Sequence, residues 1–215
     1  FLFRDKAHLY SVMDGEVGAT LKSYVDAKKQ MKAMDYWDAG FKHFSTNATP
    51  IVNPEDAAGK KYRIQSSKVL EAQFKAVGGN PQVLPFSEVY SALQQGVVDG
   101  TENPLSNFYT KKFHEVQTSL TLSSHGYLGY LVVMNAQFFD KLPKDLQNKV
   151  EQAMKEATAF EREAAAKDDE KIMAELNKYV TDTNKLQIIE LTADQKQKWQ
   201  KAMSPVYPQF YDVVG

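Results

Sequence analysis

Three polar residues stand at the ends of short strand-like runs and could bind a small acid. Arg63 lies in the run 62–65, and Glu102 and Asn103 follow the run 97–99. An arginine fork offers two parallel hydrogen bonds to a carboxylate and keeps its proton at neutral pH. An asparagine donates and accepts at once, so it can contact a carboxylate oxygen and a neighbouring hydroxyl together. These residue types would suit the binding of an organic acid.

The segment from Lys61 to Asn103 has the sequence pattern that would position these residues. Short apolar or mixed runs alternate with helical patterns, and glycines separate them. The predicted strands are 62–65, 82–84 and 97–99, and the predicted helices are 67–77 and 86–95. This βαβ order implies parallel strands joined by right-handed crossovers. Ligands of such sheets bind beyond the carboxyl ends of the strands, which is where Arg63 and Asn103 would lie.

The rest of the chain is predicted to form helices and long strands around this segment. Helices are expected at 4–14, 16–30 and 193–203, with extended structure at 31–45 and one helical turn after Asn53. The run 116–135 predicts a strand in two pieces around 123–126, and the apolar piece 127–134 should be buried on both faces. Apolar residues at helical spacing predict one long helix over 143–179, and the tail 205–215 is expected to be irregular.

Composition excludes several classes of function. The chain has 26 basic and 27 acidic residues, in no long blocks of one sign, which argues against nucleic acid and anionic membranes as partners. It has no cysteine, so disulfides, thiolate metal ligands and a cysteine nucleophile are absent. No run approaches the roughly 18 apolar residues of a membrane span. We expect neither a metal nor a cofactor.

Three sequence pieces, taken in order, are distinctive: FRDKAHLYSVMDG, PFSEVYSALQQGVVDGTENPLSN, and SSHGYLGYLVVMN followed by LPKDLQNKV. With their spacing to KYRIQ, they resemble the solute-binding proteins of tripartite ATP-independent periplasmic (TRAP) transporters over essentially all 215 residues. The resemblance implies an α/β, two-lobed periplasmic-binding-protein-like fold. Its sheets would be parallel or mixed, with hinge strands and one long lobe-spanning helix.

The resemblance also implies a division of the chain. Residues 1–36 would belong to a first lobe, 37–125 would form the second, ligand-binding lobe, and 126–215 would supply a return strand, the bracing helix and a C-terminal segment packing on both lobes. Family members usually carry a signal peptide and most of the N-terminal lobe before the point where this chain begins. The chain starts at Phe1 without a signal-peptide pattern, so we expect a processed or partial polypeptide.

The function implied by the resemblance is transport without catalysis. Such a protein works in the periplasm, captures an organic acid in an interlobe cleft by ligand-induced closure, and delivers it to the membrane subunits of a TRAP permease. We expect a monomer, with a dimer as the alternative. The sequence does not name the carboxylate.

The family's ligand-binding residues can be carried over by position. The resemblance implies that Arg63 forks onto the ligand carboxylate and that Asn103, with Glu102 beside it, belongs to the VDG-x-EN-P motif. Phe86 would pack against the ligand, and His125 would make a polar or water-mediated contact. Lys42 stands where the family often has a second basic residue.

Each of these residues also has a simpler interpretation. Arg63 could be a surface residue or an ion-pair partner, and Asn103 a turn residue before a proline. Phe86 could anchor the start of a helix, His125 could be a satisfied core histidine, and Lys42 could face water.

Two other functions compete with transport. Glu102, His125 and Ser87 have the residue types of acid–base and nucleophilic catalysis, but no nucleophile elbow, phosphate loop or HExxH motif accompanies them. Alternatively, the helix 143–179 could pair with another copy, although the charged run 167–171 interrupts its apolar seam.

Overall fold

The structure, a computed structural model, describes residues 2–47 and 49–214. The strands are β1 Met31–Thr46, β2 Lys61–Ile64, β3 Asn80–Val83, β4 Gly100–Asn103, β5 Ser119–Asn135 and β6 Gln187–Glu190. The helices are α1 Lys6–Met13, α2 Glu16–Asp26, α3 Lys68–Ala76, α4 Val89–Gln94, α5 Leu105–Thr110, α6 Ala136–Lys141, α7 Lys144–Thr183, α8 Ala193–Met203 and α9 Tyr211–Val214. Short 3₁₀ helices span Pro54–Ala57, Phe86–Glu88, Phe113–Glu115 and Ser204–Phe210.

The chain divides into two compact units. Unit 1 comprises Phe1–Gly40 and Tyr127–Asp169, and unit 2 comprises Phe41–Gly126 and Glu170–Gly215. The chain therefore passes from one unit to the other three times, within β1, within β5 and within α7. The mixed α/β fold class predicted from the sequence is confirmed.

The six strands form one sheet in the order β3-β2-β4-β1-β5-β6. The strand pairs in unit 2 include both parallel and antiparallel neighbours. Strand β2 runs parallel to both β3 and β4, as the βαβ pattern predicted. Strand β1 is antiparallel to β4, and β5 is parallel to β6. The predicted single turn after Asn53 is a 3₁₀ helix with a capping box.

The last strand of the βαβ segment begins later than predicted. We expected it at 97–99, but β4 spans Gly100–Asn103. The amides of Val97 and Val98 instead close the end of α4 by donating to the carbonyl of Ala92. Pairing with β1 and β2 starts at Gly100. The start of the strand is therefore decided by its hydrogen bonds to neighbouring strands and not by the apolar residues Val97 and Val98.

The core of unit 2 is built from α4, α5, β5 and the second half of α7. Its buried apolar residues include Leu93, Phe108, Leu120 and Leu176, each at most 1 % exposed. Trp199 of α8, also buried, donates from its indole nitrogen to the carbonyl of Val52 at 2.9 Å. The ring of Tyr62 in β2, the strand that carries Arg63, packs against the ring of Phe74 in α3 with 4.7 Å between their centres.

Unit 1 is held together by hydrogen bonds from side chains of β1. The Tyr36 hydroxyl donates to the carbonyl of Gly18 at 2.9 Å, and the Trp37 indole donates to Thr158 Oγ1 at 3.1 Å. Arg162 of α7 forms two hydrogen bonds to the carboxylate of Asp14, at 2.7 and 2.8 Å. These bonds fix α2 and α7 against β1 and fix the end of α1 against α7.

Three other expectations from the sequence need correction. The run 116–135 forms one continuous strand from Ser119, in which Ser124 takes a positive φ of 47° without interrupting the strand. Its apolar half is not buried on both faces: Tyr130 is 51 % exposed and Val133 is 42 % exposed. The tail is not irregular, because a 3₁₀ helix and α9 occupy Ser204–Val214.

The long helix is confirmed. It spans 40 residues, Lys144–Thr183, and so extends four residues beyond the predicted end. At about 1.5 Å per residue its length is roughly 60 Å. None of the helices in the described ranges is both long enough and apolar enough to span a membrane.

Candidate functional site

Arg63 is fixed in β2 by the parallel strands on either side. It lies opposite Gln82 of β3 and Thr101 of β4. Its Nε donates to the carbonyl of Leu84 at 3.0 Å, and the residue is only 4 % exposed. This bond uses the inner nitrogen of the guanidinium and orients the two terminal nitrogens together, which is the arrangement that binds a carboxylate with two parallel bonds.

The charge of Arg63 is not neutralised by an ion pair. Among the described residues, no carboxylate lies within 4.0 Å of its guanidinium. Burial lowers the pKa of Arg63, and the nearby carboxylate of Glu102 partly offsets that effect. Arginine pKa values lie so far above 7 that the group stays charged. Arg63 is therefore neither a surface residue nor an ion-pair partner within the described part of the chain.

Phe86 lies beside this guanidinium, at the start of the 3₁₀ turn before α4. The Arg63 guanidinium carbon is 5.5 Å from the centre of the Phe86 ring, and Lys111 Nζ is 5.8 Å from the same centre. Both are within the range of cation–π attraction. The ring is 36 % exposed and makes an edge contact with Phe113, so it is anchored on one side and accessible on another.

Glu102, Lys42 and His125 form a buried cluster in unit 2. Lys42 Nζ lies 2.6 Å from Glu102 Oε1, and His125 Nε2 lies 3.1 Å from Glu102 Oε2. Lys42 Nζ also donates to Gln65 Oε1 at 3.2 Å. The side chains of Lys42, Glu102 and His125 are 6 %, 1 % and 3 % exposed. Both oxygens of the Glu102 carboxylate are thus engaged from within the unit.

The protonation states in this cluster follow from burial and hydrogen bonding. Burial alone would raise the pKa of Glu102, but the hydrogen bond from His125 and the charge of Lys42 outweigh it and lower that pKa. Burial lowers the pKa of His125 in spite of its bond to Glu102, so the imidazole is neutral at pH 7. Glu102 thus has Lys42 as its ion-pair partner inside the cluster, whereas no carboxylate in the described ranges pairs with Arg63.

Ser123, His125 and Glu102 have the residue types of a hydrolase triad, but the two ring nitrogens are exchanged: in a triad the serine bonds Nε2 and the carboxylate bonds Nδ1. Ser123 Oγ lies 2.7 Å from His125 Nδ1, while His125 Nε2 faces the carboxylate. All three residues are at most 4 % exposed, and the His125 ring stacks on Phe44 at 3.8 Å. Ser123 is 0 % exposed in this arrangement. The arrangement instead fixes the orientation of Glu102.

Asn103 ends β4 and is tied to Arg63 through one threonine. Asn103 Nδ2 donates to Thr101 Oγ1 at 3.1 Å, and that hydroxyl donates to the Arg63 carbonyl at 3.3 Å. His43 of β1 lies opposite Asn103 and accepts from the Ser124 amide at 3.3 Å. Burial lowers the pKa of His43 to about 3, so it adds no charge at neutral pH.

The structure groups five of the six predicted residues in two sets, and the sixth, Asn103, is linked to Arg63 through Thr101. Lys42, Glu102 and His125 form the buried cluster, so Lys42 does not face water, and Arg63 contacts Phe86. Asn103 belongs to β4 rather than to a loop before Pro104. Contact of any of the six with a ligand stays a prediction.

Sequence reasoning missed Gln65, Ser123 and Phe44, which complete the cluster. One signal was available: residues two apart in a strand share a face, which places Ser123 beside His125. Within residues 2–47 and 49–214, no group of three or more His, Asp or Glu side chains could hold a metal ion.

A family model described as bacterial extracellular solute-binding protein, family 7, matches residues 1–213 of the chain. Among curated proteins, the chain is 45 % identical over 215 residues to the C4-dicarboxylate-binding periplasmic protein DctP of Rhodobacter capsulatus. This match covers all of the chain and 63 % of the relative. The DctP protein of Shewanella loihica is 39 % identical, with 62 % of its length covered. The chain thus spans under two thirds of the length of these curated relatives.

Solved structures agree in fold. A TRAP periplasmic solute-binding protein from Sulfurospirillum deleyianum, with bound succinate, is 67 % identical with a TM-score of 0.93. The match covers 100 % of this chain and 69 % of that one. A homologue from a Sulfitobacter species, with bound β-D-galacturonate, is 30 % identical with a TM-score of 0.92, covering 100 % and 69 % of the two chains. The likeness of sequence and fold over its whole length makes this chain a member of the TRAP solute-binding proteins, the bacterial extracellular solute-binding proteins of family 7.

Proposed function

We propose that this protein captures a C4-dicarboxylate such as succinate in the periplasm and delivers it to the membrane subunits of a TRAP permease. The observation that carries the proposal is the buried guanidinium of Arg63, which has no carboxylate partner among the described residues and whose Nε is already held by Leu84. A buried charge without a partner is costly, and an acid ligand would supply that partner.

The choice of a C4-dicarboxylate rests on the relatives. The Sulfurospirillum protein, at 67 % identity, was solved with succinate, and the Rhodobacter relative is named for C4-dicarboxylate binding. Structures with sugar acids, such as galacturonate and D-erythronate, are 30 % and 32 % identical to this chain. Similarity therefore favours succinate over a sugar acid.

The mechanism that we propose is closure around the acid. A ligand that contacts the closed form more extensively than the open form shifts the population toward closure by its difference in affinity. The closed form would then be the one that the permease recognises. We expect the protein to release succinate chemically unchanged, because the buried serine–histidine–glutamate array offers no accessible nucleophile.

Calorimetric titration with succinate tests the proposal, using protein expressed at the length that its gene encodes. Arg63→Met should weaken binding by roughly 2–5 kcal/mol, because the acid would remain desolvated and unpaired. This corresponds to about 30-fold to several thousand-fold in Kd. Arg63→Lys should lose less, since it keeps the charge and loses the fork.

Arg4→Met is the matched control, because Arg4 is an exposed arginine outside this site. It should leave the Kd for succinate unchanged. Equal affinity of Arg63→Met and wild type would remove Arg63 from the site. A thermal-shift series in which galacturonate stabilises the protein and succinate does not would overturn the choice of ligand class.

A further inference from the structure

A network centred on Asp38 links the three points at which the chain leaves unit 1. The last residues of unit 1 at these crossings are Gly40 in β1, Tyr127 in β5 and Asp169 in α7. Asp38 Oδ1 accepts a hydrogen bond from the Gly40 amide at 2.8 Å. The Tyr127 side chain also hydrogen-bonds to Asp38. Two of the three crossings are therefore tied directly to one carboxylate.

The third crossing is tied to the same carboxylate through a lysine. Lys6 Nζ lies 3.0 Å from Asp38 Oδ2 and 3.0 Å from Asp169 Oδ2, so it bridges β1 and α7. Tyr10 of α1 donates to Asp38 Oδ2 at 2.8 Å. The Asp38 amide donates to both oxygens of Glu161 in α7, at 3.2 and 3.0 Å.

The position of Asp38 makes these bonds strong and specific. Its side chain is fully buried, so the carboxylate depends on these donors for its solvation. Hydrogen bonds to a buried charge are worth more than those between neutral groups. Gly40 has a φ of 104°, a conformation that a residue with a side chain rarely adopts. In this conformation its amide donates to Asp38 Oδ1 beside the first crossing.

We infer that Asp38 is a positioning residue for closure: it fixes the three crossing segments to unit 1, so that closure bends the chain beyond them. This inference rests on the closure mechanism of the proposed function. When the Asp38 carboxylate is neutralised, the crossing segments become more mobile in the open form. They must then be ordered when the protein closes. Ligand binding then carries a larger ordering cost, although Asp38 contacts no ligand.

The test is a distance measurement between spin labels, one in each unit. The chain contains no cysteine, so Ala19→Cys in unit 1 and Ala76→Cys in unit 2, both exposed helical positions, can be labelled selectively. In Asp38→Asn, the closed fraction at a given succinate concentration should fall, and the Kd should rise about 2- to 30-fold. The succinate dissociation rate should rise with it.

Asp14→Asn is the matched control. Asp14 is also a carboxylate of unit 1 with two short hydrogen bonds, but its partner is Arg162 and it bonds to none of the crossing residues. It should leave closure and dissociation unchanged. Tyr10→Phe removes one hydrogen bond to Asp38 without changing the charge. It should lower the closed fraction in the same way but by less, and it serves as the test if Asp38→Asn does not fold.

The outcomes separate this inference from the function on which it rests. Closed fractions and dissociation rates equal to wild type in Asp38→Asn, or in Tyr10→Phe where Asp38→Asn does not fold, would overturn the role of Asp38 alone. A wild-type protein that binds succinate with no change of distance would refute closure itself, and the inference with it. A shift of the same size in Asp14→Asn would show a general effect of lost stability and would also overturn the role of Asp38.

Discussion

Two ion pairs with the same short separation should differ greatly in their contribution to stability. Lys42 Nζ–Glu102 Oε1 and Lys75 Nζ–Glu71 Oε1 are both 2.6 Å long. The side chains of the first pair are 6 % and 1 % exposed, while those of the second are 63 % and 44 % exposed. The free energy lost on neutralising each glutamate therefore measures the effect of burial.

Among the described residues, Glu102→Gln leaves the buried Lys42 ammonium with Gln65 Oε1, at 3.2 Å, as an acceptor. It also removes the charged acceptor of His125. Breaking a buried pair by removing one partner costs about 3–5 kcal/mol, because the other charge stays uncompensated. For a chain of this size, that loss lowers the Tm by roughly 6–20 °C.

Urea and thermal unfolding of Glu102→Gln and Glu71→Gln provide the comparison. The exposed pair should lose far less, because solvent screens the attraction between its charges. Adding Lys42→Met to Glu102→Gln should recover much of the stability, because the unpaired charge is removed. Equal losses in the two single variants, or a double variant less stable than Glu102→Gln, would refute the reasoning.

Two further predictions concern stability. The pKa of His43 is lowered by burial to about 3, whereas an unfolded histidine titrates near 6.5. The free energy of unfolding that the neutral His43 supports is therefore fully present above pH 6.5. It decreases as the pH falls below that value, by up to about 1.4 kcal/mol per pH unit. Urea unfolding at pH 7, 6 and 5 should show a shallower pH dependence of stability in His43→Gln than in the wild type; identical slopes would contradict this. Gly100→Ala should cost about 1–3 kcal/mol, because its Cβ would overlap the Ser45 carbonyl, whereas Gly126→Ala has ordinary contacts and should stay within roughly 0.5 kcal/mol. Equal unfolding free energies for these two glycine variants would argue against the described packing of β1 on β4.

The sequence predicted those parts of the fold that depend on local periodicity. The parallel strands of 61–103 and the 40-residue α7 carry apolar patterns that identify them without knowledge of their neighbours. The start of β4 was missed because it is decided by the pairing of Gly100 with Thr46 in β1, a residue distant in the sequence. The burial of Tyr130 and Val133 was predicted wrongly because an apolar run does not show which segments cover it.

The candidate site was predictable in residue type but not in connectivity. Arg63 and Glu102 were recognised from their place at the strand ends. The bond between Lys42 and Glu102 joins residues 60 positions apart, and no local pattern specifies such a pair. The buried partners of His125 make it a support for Glu102, and only the packing of β1, β4 and β5 reveals this role; its contact with a ligand stays a prediction.

The two tryptophans of the chain fall one to each unit, and this gives the protein an intrinsic optical label for either half. Trp199 is fully buried, so its emission should be blue-shifted, while Trp37 is only partly buried and should emit at longer wavelength. In single Trp→Phe variants, fluorescence would follow the melting of each half separately. Coincident curves would mean that both halves unfold in one cooperative step.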